Sequence, residues 1–337
     1  MKVLYSGHYK VGCTSRMRGE QLKTILQPDA FFVADSDIPV DSTPMVFRSL
    51  GWRTYRGPLI GSISDALEKT LSEVDMLDLA WIDKGVFIKK STLEKVRAKS
   101  RKLIHYTPDC AFYFNRSRHF LDGISQYDHC VTTKSFELEM YTSHGAKDVV
   151  FCTQGYDPNL HFPRHSHSNK EGIIFIGLCE PYREDLLAYL IANGIHVKVA
   201  GENWERFARV HAKNPFLVYL GKGLFGQDYA SAISGSLIGL GLLSRKFPEL
   251  HTTRTFEIPA CGTLLATERN PEIGGFFTEE EVLYYTGRED LLSKLHKYLR
   301  SPEIIREVSN RGSEKIRSLR FDYGHIMTGI LEHAGFI

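Results

Sequence analysis

The stretch Glu249-Leu-His-Thr-Thr-Arg-Thr-Phe-Glu257-Ile-Pro-Ala-Cys-Gly262-Thr-Leu-Leu-Ala-Thr267 predicts a short helix followed at once by a strand. The helix ends at Gly262, and the apolar run Thr263–Thr267 has the composition of a strand buried in a parallel sheet. Ligands of such sheets bind beyond the carboxyl ends of the strands. The polar side chains of this stretch are therefore candidates for a binding site.

Two charged side chains in this stretch suit a nucleotide. The carboxylate of Glu257 suits the paired hydroxyls of a ribose, and the guanidinium of Arg254 suits a diphosphate, which it binds through two parallel hydrogen bonds. A nucleotide-sugar is the ligand that needs both. The alternative interpretation is structural, with acidic residues near the positive end of a helix and a glycine stop.

Short apolar runs alternate with longer amphipathic stretches throughout the chain, which predicts an α/β fold with parallel sheets and crossover helices. The predicted strands of the first half are Val3–Tyr5, Phe31–Ala34, Leu77–Ile82, Lys102–Tyr106, His129–Thr132 and Val149–Cys152. Those of the second half are Ile173–Gly177, His196–Gly201, Phe216–Leu220, Leu237–Leu242, Thr263–Thr267 and Val282–Tyr285.

A polar, proline-bearing stretch, Thr153–Glu171, separates the two sets of strands and is typical of an interdomain linker. We therefore expect two Rossmann-like domains that face each other across a cleft. The predicted domains are residues 1–158 and 170–318. Residues 319–337 contain a final helix, near Tyr323–His333, that is expected to pack back on the first domain.

Composition narrows the functional classes. The chain has 337 residues, of which 42% are hydrophobic and 24% charged, as in ordinary globular proteins. A net charge of +2 gives no reason to expect a nucleic-acid partner. The six cysteines are scattered singly and read as reduced thiols. With no signal-like segment and no apolar run long enough to span a membrane, we expect a cytoplasmic protein.

Two loops of the first half carry candidate residues. Gly12 lets the backbone approach a phosphate or a sugar, and Thr14 or Ser15 is expected to cap the next helix; an ordinary turn is the alternative. His105 and Asp109 stand four positions apart at the end of a predicted strand, where they would position a sugar hydroxyl or move a proton. The alternative there is a buried histidine with Asp109 capping a turn.

Cationic side chains follow several strands of the second half. Arg183 lies at a predicted helix start just after Gly177, Lys222 lies in a glycine-rich loop, and Arg245 follows an apolar strand. Together with Arg254 they would neutralise a diphosphate. Each of them taken singly is more typical of a solvated surface charge.

Two clusters indicate less. His161, His165 and His167 lie together in the predicted linker, but no cysteine or carboxylate accompanies them, and we expect no metal ion. The basic run Lys89–Lys102 is typical of a solvated helix face, and a peripheral contact with anionic lipid at the inner membrane face is the second interpretation.

Several of these segments resemble the group 1 glycosyltransferases, in their spore-maturation (CgeB-like) branch. The segments in the second half are Arg254–Gly262, Gly274–Val282 and Asp290–Leu299. Those upstream are Leu103–Asp109, Tyr127-Asp128, Thr132–Lys134, Gly145–Lys147 and Gln154–Asp157. The resemblance covers most of the chain and implies the GT-B fold, with a nucleotide-sugar held mainly by the second domain and no metal cofactor.

The resemblance also implies roles for individual residues. Glu257 would bind the donor ribose, with Thr255 and Arg254 in the same donor site. Glu249 and Glu257 match in spacing the glutamate pair of retaining relatives, which makes Glu249 a catalytic candidate beside His105, Asp109 and Arg254.

The predicted function is transfer of a sugar from a UDP- or other NDP-sugar to a glycan, lipid-linked or protein acceptor, without a metal ion. Two other classes stay open. One is a non-catalytic sugar- or nucleotide-binding component of a surface or spore-coat assembly. The other is a sugar-nucleotide epimerase of the same fold.

Overall fold

The structure is a computed structural model that describes residues 1–113 and 115–337. It divides into two compact units. The first unit comprises Met1–Thr153 and Tyr323–Ile337, and the second comprises Gln154–Asp322. Each unit contains one six-stranded sheet whose recorded strand pairs are all parallel. The predicted α/β fold with parallel sheets is confirmed.

The first unit contains six strands in the order β2-β1-β3-β4-β5-β6. Their bounds are β1 (Lys2–Gly7), β2 (Ala30–Asp35), β3 (Leu77–Asp83), β4 (Ser100–Thr107), β5 (His129–Thr132) and β6 (Val149–Phe151). The helices of residues 1–153 are α1 (Thr14–Leu26), α2 (Asp37–Ser42), α3 (Met45–Thr54), α4 (Pro58–Ser72), α5 (Lys90–Ala98), α6 (Arg118–Gly123) and α7 (Leu138–Ser143).

The second unit also contains six strands, in the order β12-β11-β10-β7-β8-β9. Their bounds are β7 (Ile173–Ile176), β8 (Val197–Ala200), β9 (Leu217–Tyr219), β10 (Ile238–Leu240), β11 (Leu264–Glu268) and β12 (Leu283–Tyr285). The helices of this unit are α8 (Pro181–Ala192), α9 (Glu205–Val210), α10 (Gly226–Ser234), α11 (Arg254–Ala260), α12 (Pro271–Phe276), α13 (Arg288–Leu299) and α14 (Pro302–Ser318).

Alternation along the strands divides the core of the first unit into two layers. Successive strand side chains point to opposite faces of a sheet. Leu4 accordingly packs with the α4 residue Leu67 on one face. Val3 and Tyr5 pack on the other face, where Leu22 of α1 lies. Burial on both faces explains why this strand is apolar at consecutive positions.

The last helix, α15 (Tyr323–His333), belongs to the first unit. Its buried residues Met327 and Leu331 join the layer formed by α1. The stretch that the sequence indicated as a linker begins at the boundary between the units, and residues 154–170 belong to the second one. Tyr156 and His161 are buried there, with 4% and 3% of their surface exposed.

The strand order reverses once in each sheet. In the first unit the reversal lies between β1 and β3, and in the second unit it lies between β7 and β10. At such a point the connections leave toward opposite faces, which opens a crevice beyond the carboxyl ends of the two strands. Each unit thus has one location where its topology favours a ligand.

No helix in the described ranges combines the length and the hydropathy of a membrane-spanning segment. The six cysteines are free thiols.

Candidate functional site

Two arginines meet at the strand reversal of the second unit. Arg183 lies in the first turn of α8 and Arg254 is the first residue of α11. The guanidinium of Arg183 donates to the carbonyls of Leu178 and Leu242, each at 3.0 Å. That of Arg254 donates to the carbonyl of Ile176 at 3.3 Å and to the same Leu242 carbonyl at 3.5 Å. Two of the predicted donor-binding residues are therefore brought together.

Burial and charge make this pair electrostatically demanding. Arg183 is 4% exposed, and its partner carboxylate is Glu180, at 3.1 Å. Ser244 donates a hydrogen bond to Glu180 at 3.0 Å. Burial and then the like charge of Arg254 lower the pKa of Arg183 to about 10, against the opposing effect of Glu180 and Glu249. Glu249 is thus close enough to act on the arginine pair.

Each of the two guanidinium groups retains an unused donor. The Nε–H groups of Arg183 and Arg254 are buried and have no hydrogen-bond acceptor among the described residues. In the same described part of the chain no carboxylate forms an ion pair with Arg254. A buried donor without an acceptor costs about 1–3 kcal/mol. An anion placed between these groups would remove that cost.

Glycines let the strand ends approach this pair. A Cβ atom on Gly177, just beyond β7, would lie 2.9 Å from the ring of Phe175 and 3.3 Å from a guanidinium nitrogen of Arg254. Gly201, beyond β8, has φ +137°, and a Cβ there would lie 2.0 Å from the carbonyl oxygen of Gly177. The indole of Trp204 donates to that oxygen at 2.7 Å. A side chain at position 177 would therefore crowd both Phe175 and Arg254.

Glu257 and Thr255 are buried within α11. Glu257 is 3% exposed, accepts a hydrogen bond from the Tyr229 hydroxyl at 2.5 Å, and lies 3.7 Å from Nε2 of His161. Thr255 is 2% exposed and accepts from the backbone N–H of Thr252 at 3.2 Å. The helix begins at Arg254, so Glu257 lies in its first turn. A ligand that binds Glu257 would share this buried carboxylate with Tyr229.

The other two predicted cations are already paired with carboxylates. Lys222 is 79% exposed and lies 3.3 Å from Glu205. Arg245 is half exposed, lies 2.5 Å from Glu268 at the end of β11, and stacks over the ring of Tyr182 at 4.5 Å. The Tyr182 hydroxyl donates to the same Glu268 oxygen at 2.9 Å. Their contacts do not connect them with the arginine pair.

The first unit has a cavity of about 200 Å³ at its own strand reversal. It is formed by the carboxyl ends of β1 and β3 and by the segments that follow β2 and β4. Its lining residues are Ser6, Gly7, His8, Ser36, Val40, Trp52, Ile63, Asp83, Lys84, Gly85, Val86, Phe87, Ile88, Asp109 and Asn115. The cavity thus combines an aromatic and aliphatic wall with polar groups of both charges.

Asp109 is the predicted residue that lines this cavity. It lies 2.6 Å from the ammonium of Lys84 and accepts a hydrogen bond from Asn115 at 3.3 Å. Burial opposes ionisation, but Lys84 and then Lys134 outweigh it and hold the pKa of Asp109 below its ordinary value. An ionised carboxylate of low pKa accepts hydrogen bonds well and takes up protons poorly at neutral pH. The carboxylate of Asp109 is therefore suited to accept a hydrogen bond from a hydroxyl of a ligand.

His105 lies in the core and does not meet Asp109. It is 0% exposed on β4 and lies 3.2 Å from the Tyr141 hydroxyl, with the rings of Phe120 and Tyr127 around it. Burial lowers the pKa of His105 to about 3. A neutral, enclosed imidazole cannot reach the lining of the cavity. The structure places His105 as the buried histidine that was the alternative interpretation.

Gly12 lies in a turn outside the cavity lining, with φ +84° in the left-handed region. The predicted cap of α1 by Thr14 or Ser15 is wrong, because Cys13 is the capping residue. Its Sγ accepts from the backbone N–H of Arg16 at 3.4 Å. Residues 6–8, at the end of β1 and directly after it, line the cavity instead.

Several residues of both sites escaped the sequence analysis. Glu180 and Ser244 position Arg183, and Lys84 holds Asp109. Trp52 supplies the aromatic wall of the cavity. The available signals were weak: Glu180 stands immediately before the proline that begins α8, and Lys84 immediately follows an apolar strand.

The histidines of the predicted linker have separate partners. His161 faces Glu257, His165 lies 3.3 Å from the Ser231 hydroxyl, and His167 lies 3.3 Å from the amide oxygen of Asn310. Among the described residues one other group has potential metal ligands, and it consists of His129, Asp148 and His333. Both of its imidazoles lie 2.7 Å from one Asp148 oxygen, at the edge of the sheet opposite the cavity. This group ties α15 to the sheet.

Part of the chain matches a known protein family. Residues 183–332 match a family described as "Glycosyl transferase-like". No curated protein matches the chain by sequence. The matched segment begins at Arg183 and includes Arg254, so it contains both members of the arginine pair.

Solved structures resemble the chain over nearly its whole length. Sucrose-phosphate synthase from Thermosynechococcus elongatus superposes with a TM-score of 0.68 at 12% identity, over 99% of this chain and 98% of that one. The fold is GT-B. HepE from Anabaena, solved with UDP and glucose, has a TM-score of 0.67 at 12% identity over 100% of both chains. The UDP-forming α,α-trehalose-phosphate synthase from Burkholderia vietnamiensis has a TM-score of 0.68 at 8% identity, over 100% and 99%.

Proposed function

We propose that this GT-B protein transfers a sugar from a nucleotide-sugar donor, a UDP- or other NDP-sugar, to an acceptor hydroxyl. The observation that carries the proposal is the arginine pair of the second unit, whose buried Nε–H groups lack acceptors among the described residues. The family match supports transfer, and neighbours solved with UDP or UDP-glucose support a uridine nucleotide. The motifs quoted above favour the spore-maturation branch of the group 1 enzymes.

In the proposed reaction the diphosphate of the donor binds between Arg183 and Arg254. The bond between the anomeric carbon and the diphosphate oxygen breaks, a bond to the acceptor oxygen forms, and the proton of the acceptor hydroxyl passes to the released nucleoside diphosphate. Negative charge accumulates on the leaving diphosphate, where fixed guanidinium groups in a buried site stabilise it. The same cations would do the work that a divalent metal ion does in other enzymes. Glu257 would bind the ribose, and Glu249 would act beside the reacting sugar.

The cavity of the first unit is the proposed acceptor site. A sugar or similar polyhydroxy acceptor needs a carboxylate for its hydroxyls and an aromatic ring for its apolar face. Asp109 and Trp52 both line the cavity and supply these groups. Asp109 would orient the attacking hydroxyl and His105, being enclosed, would act only through packing. The acceptor is a glycan, a lipid-linked group or a protein side chain.

The test measures nucleotide affinity and donor turnover for Arg254→Ala beside a matched control, Arg269→Ala. Arg269 is a half-exposed arginine of the same unit that pairs with Glu279. We expect Arg254→Ala to weaken UDP binding and to abolish most turnover while Arg269→Ala changes neither. Equal nucleotide affinity in both folded variants would refute the diphosphate site.

The products distinguish the other classes. Nucleotide binding without hydrolysis or transfer, across a panel of donors and acceptors, would indicate a non-catalytic binding component. A changed sugar still attached to its nucleotide would indicate an epimerase. Activity that is lost with a chelator and restored by magnesium or manganese would contradict metal independence.

A further inference from the structure

Helix α3 exposes its apolar side chains. Amphipathic helices of globular proteins usually bury that face. Of the ten residues of α3 only Gly51 is buried. Met45 and Val46 are 74% and 76% exposed, and Phe47 and Leu50 are 44% and 43% exposed. The apolar face therefore points away from the core of the first unit.

The contacts of α3 explain this orientation. Gly51 packs directly on Leu59 of α4, where an added Cβ would lie 2.7 Å from a methyl carbon of that leucine. Trp52 packs edge-on against Phe87, with ring centres 4.6 Å apart. Through these two contacts the helix packs against α4 and against the wall of the cavity. Met45, Val46, Phe47 and Leu50 keep 43–76% of their surface exposed although the helix is fixed by these contacts.

The exposed apolar surface continues onto neighbouring segments. Ile38 of α2 is 69% exposed and Val11 of the preceding loop is 84% exposed. Asp41 of α2 lies 2.8 Å from Lys10 of that loop and 4.0 Å from Arg48 of α3, which joins the three segments. We call the exposed residues of α3, together with Ile38 and Val11, the α3 surface. Contiguous apolar surface of this kind marks an interaction site.

The charge around the α3 surface is positive. Residues 38–57 contain three arginines, at positions 48, 53 and 56, against the single carboxylate of Asp41. Arg53 and Arg56 are exposed, and neither has an ion-pair partner among the described residues. Exposed apolar side chains such as Phe47 and Leu50 with flanking arginines are the composition of helices that lie in a membrane interface. Long arginine side chains also reach phosphate headgroups from such a position.

We propose that the α3 surface docks the first unit onto an anionic lipid bilayer. Met45, Val46, Phe47 and Leu50 enter the boundary between headgroups and acyl chains. Arg53 and Arg56 contact lipid phosphates. The basic run Lys89–Lys102 is a weaker candidate for this contact because most of its cations are occupied.

The occupied cations of that run are evident in its ion pairs. Lys95 lies 2.6 Å from Glu68, and Arg101 lies 3.1 Å from Asp78. Lys99 donates to the carbonyl of Val74 at 2.7 Å. Charges paired within the protein gain little from a lipid phosphate. The α3 surface differs in having both free arginines and exposed apolar groups.

The experiment is flotation of the purified chain with vesicles of neutral phosphatidylcholine or of phosphatidylcholine with phosphatidylglycerol. We expect binding to the anionic vesicles that weakens with salt. Met45→Glu combined with Val46→Glu should reduce that binding at least tenfold, because two charges then enter the apolar boundary. Arg53→Ala combined with Arg56→Ala should reduce it roughly tenfold or more, since each basic residue near an anionic surface contributes about a fivefold preference.

The matched control is Val210→Glu, which replaces a 69% exposed valine on α9 of the second unit and should leave vesicle binding unchanged. Thermal unfolding of every variant checks that the fold is intact; the arginine variant tests the proposal by itself if the glutamate variant does not fold. Equal binding to neutral and anionic vesicles, no binding, or full binding by both variants overturns the proposal. So does a lipid-independent dimer that the glutamate variant dissociates, since a second copy would then cover the surface. Because flotation needs no turnover, its outcome is independent of the proposed transfer reaction.

Discussion

Both units place arginines at their strand reversals, but the partners of these arginines differ. In the first unit Arg18 is 1% exposed and forms two hydrogen bonds to Asp83, at 2.8 and 3.0 Å. The Tyr5 hydroxyl donates to the same carboxylate at 2.9 Å. In the second unit Arg183 and Arg254 share a backbone carbonyl, and each keeps a buried Nε–H without an acceptor in the described part of the chain.

One strand-end residue accounts for much of this difference. β3 ends at Asp83, so a full negative charge stands at the reversal of the first unit. β10, the corresponding strand of the second unit, ends at Leu240, and the residue that meets the arginines there, Leu242, offers only its carbonyl. Asp83 thus gives Arg18 a carboxylate partner at the strand end, and Glu180 pairs with Arg183, whereas Arg254 has no carboxylate partner among the described residues. Each of the three guanidinium groups keeps one buried nitrogen without an acceptor in the described part of the chain, so the missing carboxylate of Arg254 is what distinguishes the second unit. In the proposed function Arg18 serves the fold, and Arg183 and Arg254 serve a ligand.

The largest expected effect breaks the structural pair. Asp83→Ala leaves Arg18 as an uncompensated buried charge, and removal of one partner from a buried ion pair costs about 3–5 kcal/mol. Chemical denaturation should show a loss of that size in the free energy of unfolding of the first unit. Arg254→Ala should lose much less stability, because that arginine has no carboxylate partner in the described structure. Equal losses in the two variants would show that the reversals do not differ as described.

The next effect concerns the second unit and its proposed ligand. Arg254→Ala should reduce turnover about 100- to 1000-fold, the usual loss for one fixed donor that stabilises developing negative charge. UDP affinity should fall as well, since a diphosphate contact acts in the ground state and the transition state alike. Calorimetry and steady-state kinetics measure the two effects. Arg254→Lys tests geometry, because lysine keeps the charge but cannot form the bidentate contact.

A smaller effect is expected in the cavity of the first unit. Asp109→Asn keeps the shape of the side chain but removes the charge that pairs with Lys84. If Asp109 orients the acceptor, turnover should fall roughly hundredfold, the cost of misplacing a reacting group by about 1 Å. UDP affinity should stay unchanged, because the proposed donor site lies in the other unit. Unchanged turnover at saturating acceptor would remove the cavity from the proposed acceptor site.

The strands were predictable because their signal is local. The run Leu77–Ile82 predicted β3, which spans Leu77–Asp83, and α15 occupies the predicted Tyr323–His333. Buried strands need consecutive apolar residues, and amphipathic helices need apolar residues at a regular spacing. Both patterns can be recognised from residues that are close together in the sequence. Fold class followed from the alternation of these patterns.

The sites were less predictable because they depend on long-range partners. Arg183 and Leu242 meet across 59 positions of the sequence, at a point that only the strand order determines. His105 lies in an apolar strand at a position that suits a buried or a lining residue, and packing of Phe120 and Tyr141 decides between them. The apolar residues of α3 resemble core residues in sequence. Their exposure depends on how α3 packs on α4 through the contact of Gly51 with Leu59, which the sequence pattern does not show.

The smallest effect separates the units by their response to acid. His105 has an ordinary pKa of 6.5 and a folded pKa of about 3, because burial disfavours its charged form. As the pH falls below 6.5 the unfolded chain therefore takes up this proton first, and stability is lost progressively down to about pH 3. At pH 5 the loss amounts to about 2 kcal/mol in the free energy of unfolding of the first unit. His105→Gln keeps a partner for the Tyr141 hydroxyl but does not titrate, so denaturation curves measured between pH 7 and 5 should change less for this variant than for the unsubstituted chain.

The control in the second unit is His167→Gln, which removes a half-buried histidine whose pKa is also lowered, first by burial and then by Lys170. Because His167 is less enclosed, its removal should flatten the pH dependence of the free energy of unfolding less than the removal of His105. Parallel profiles for the unsubstituted chain and His105→Gln would show that acid acts on the first unit through other groups.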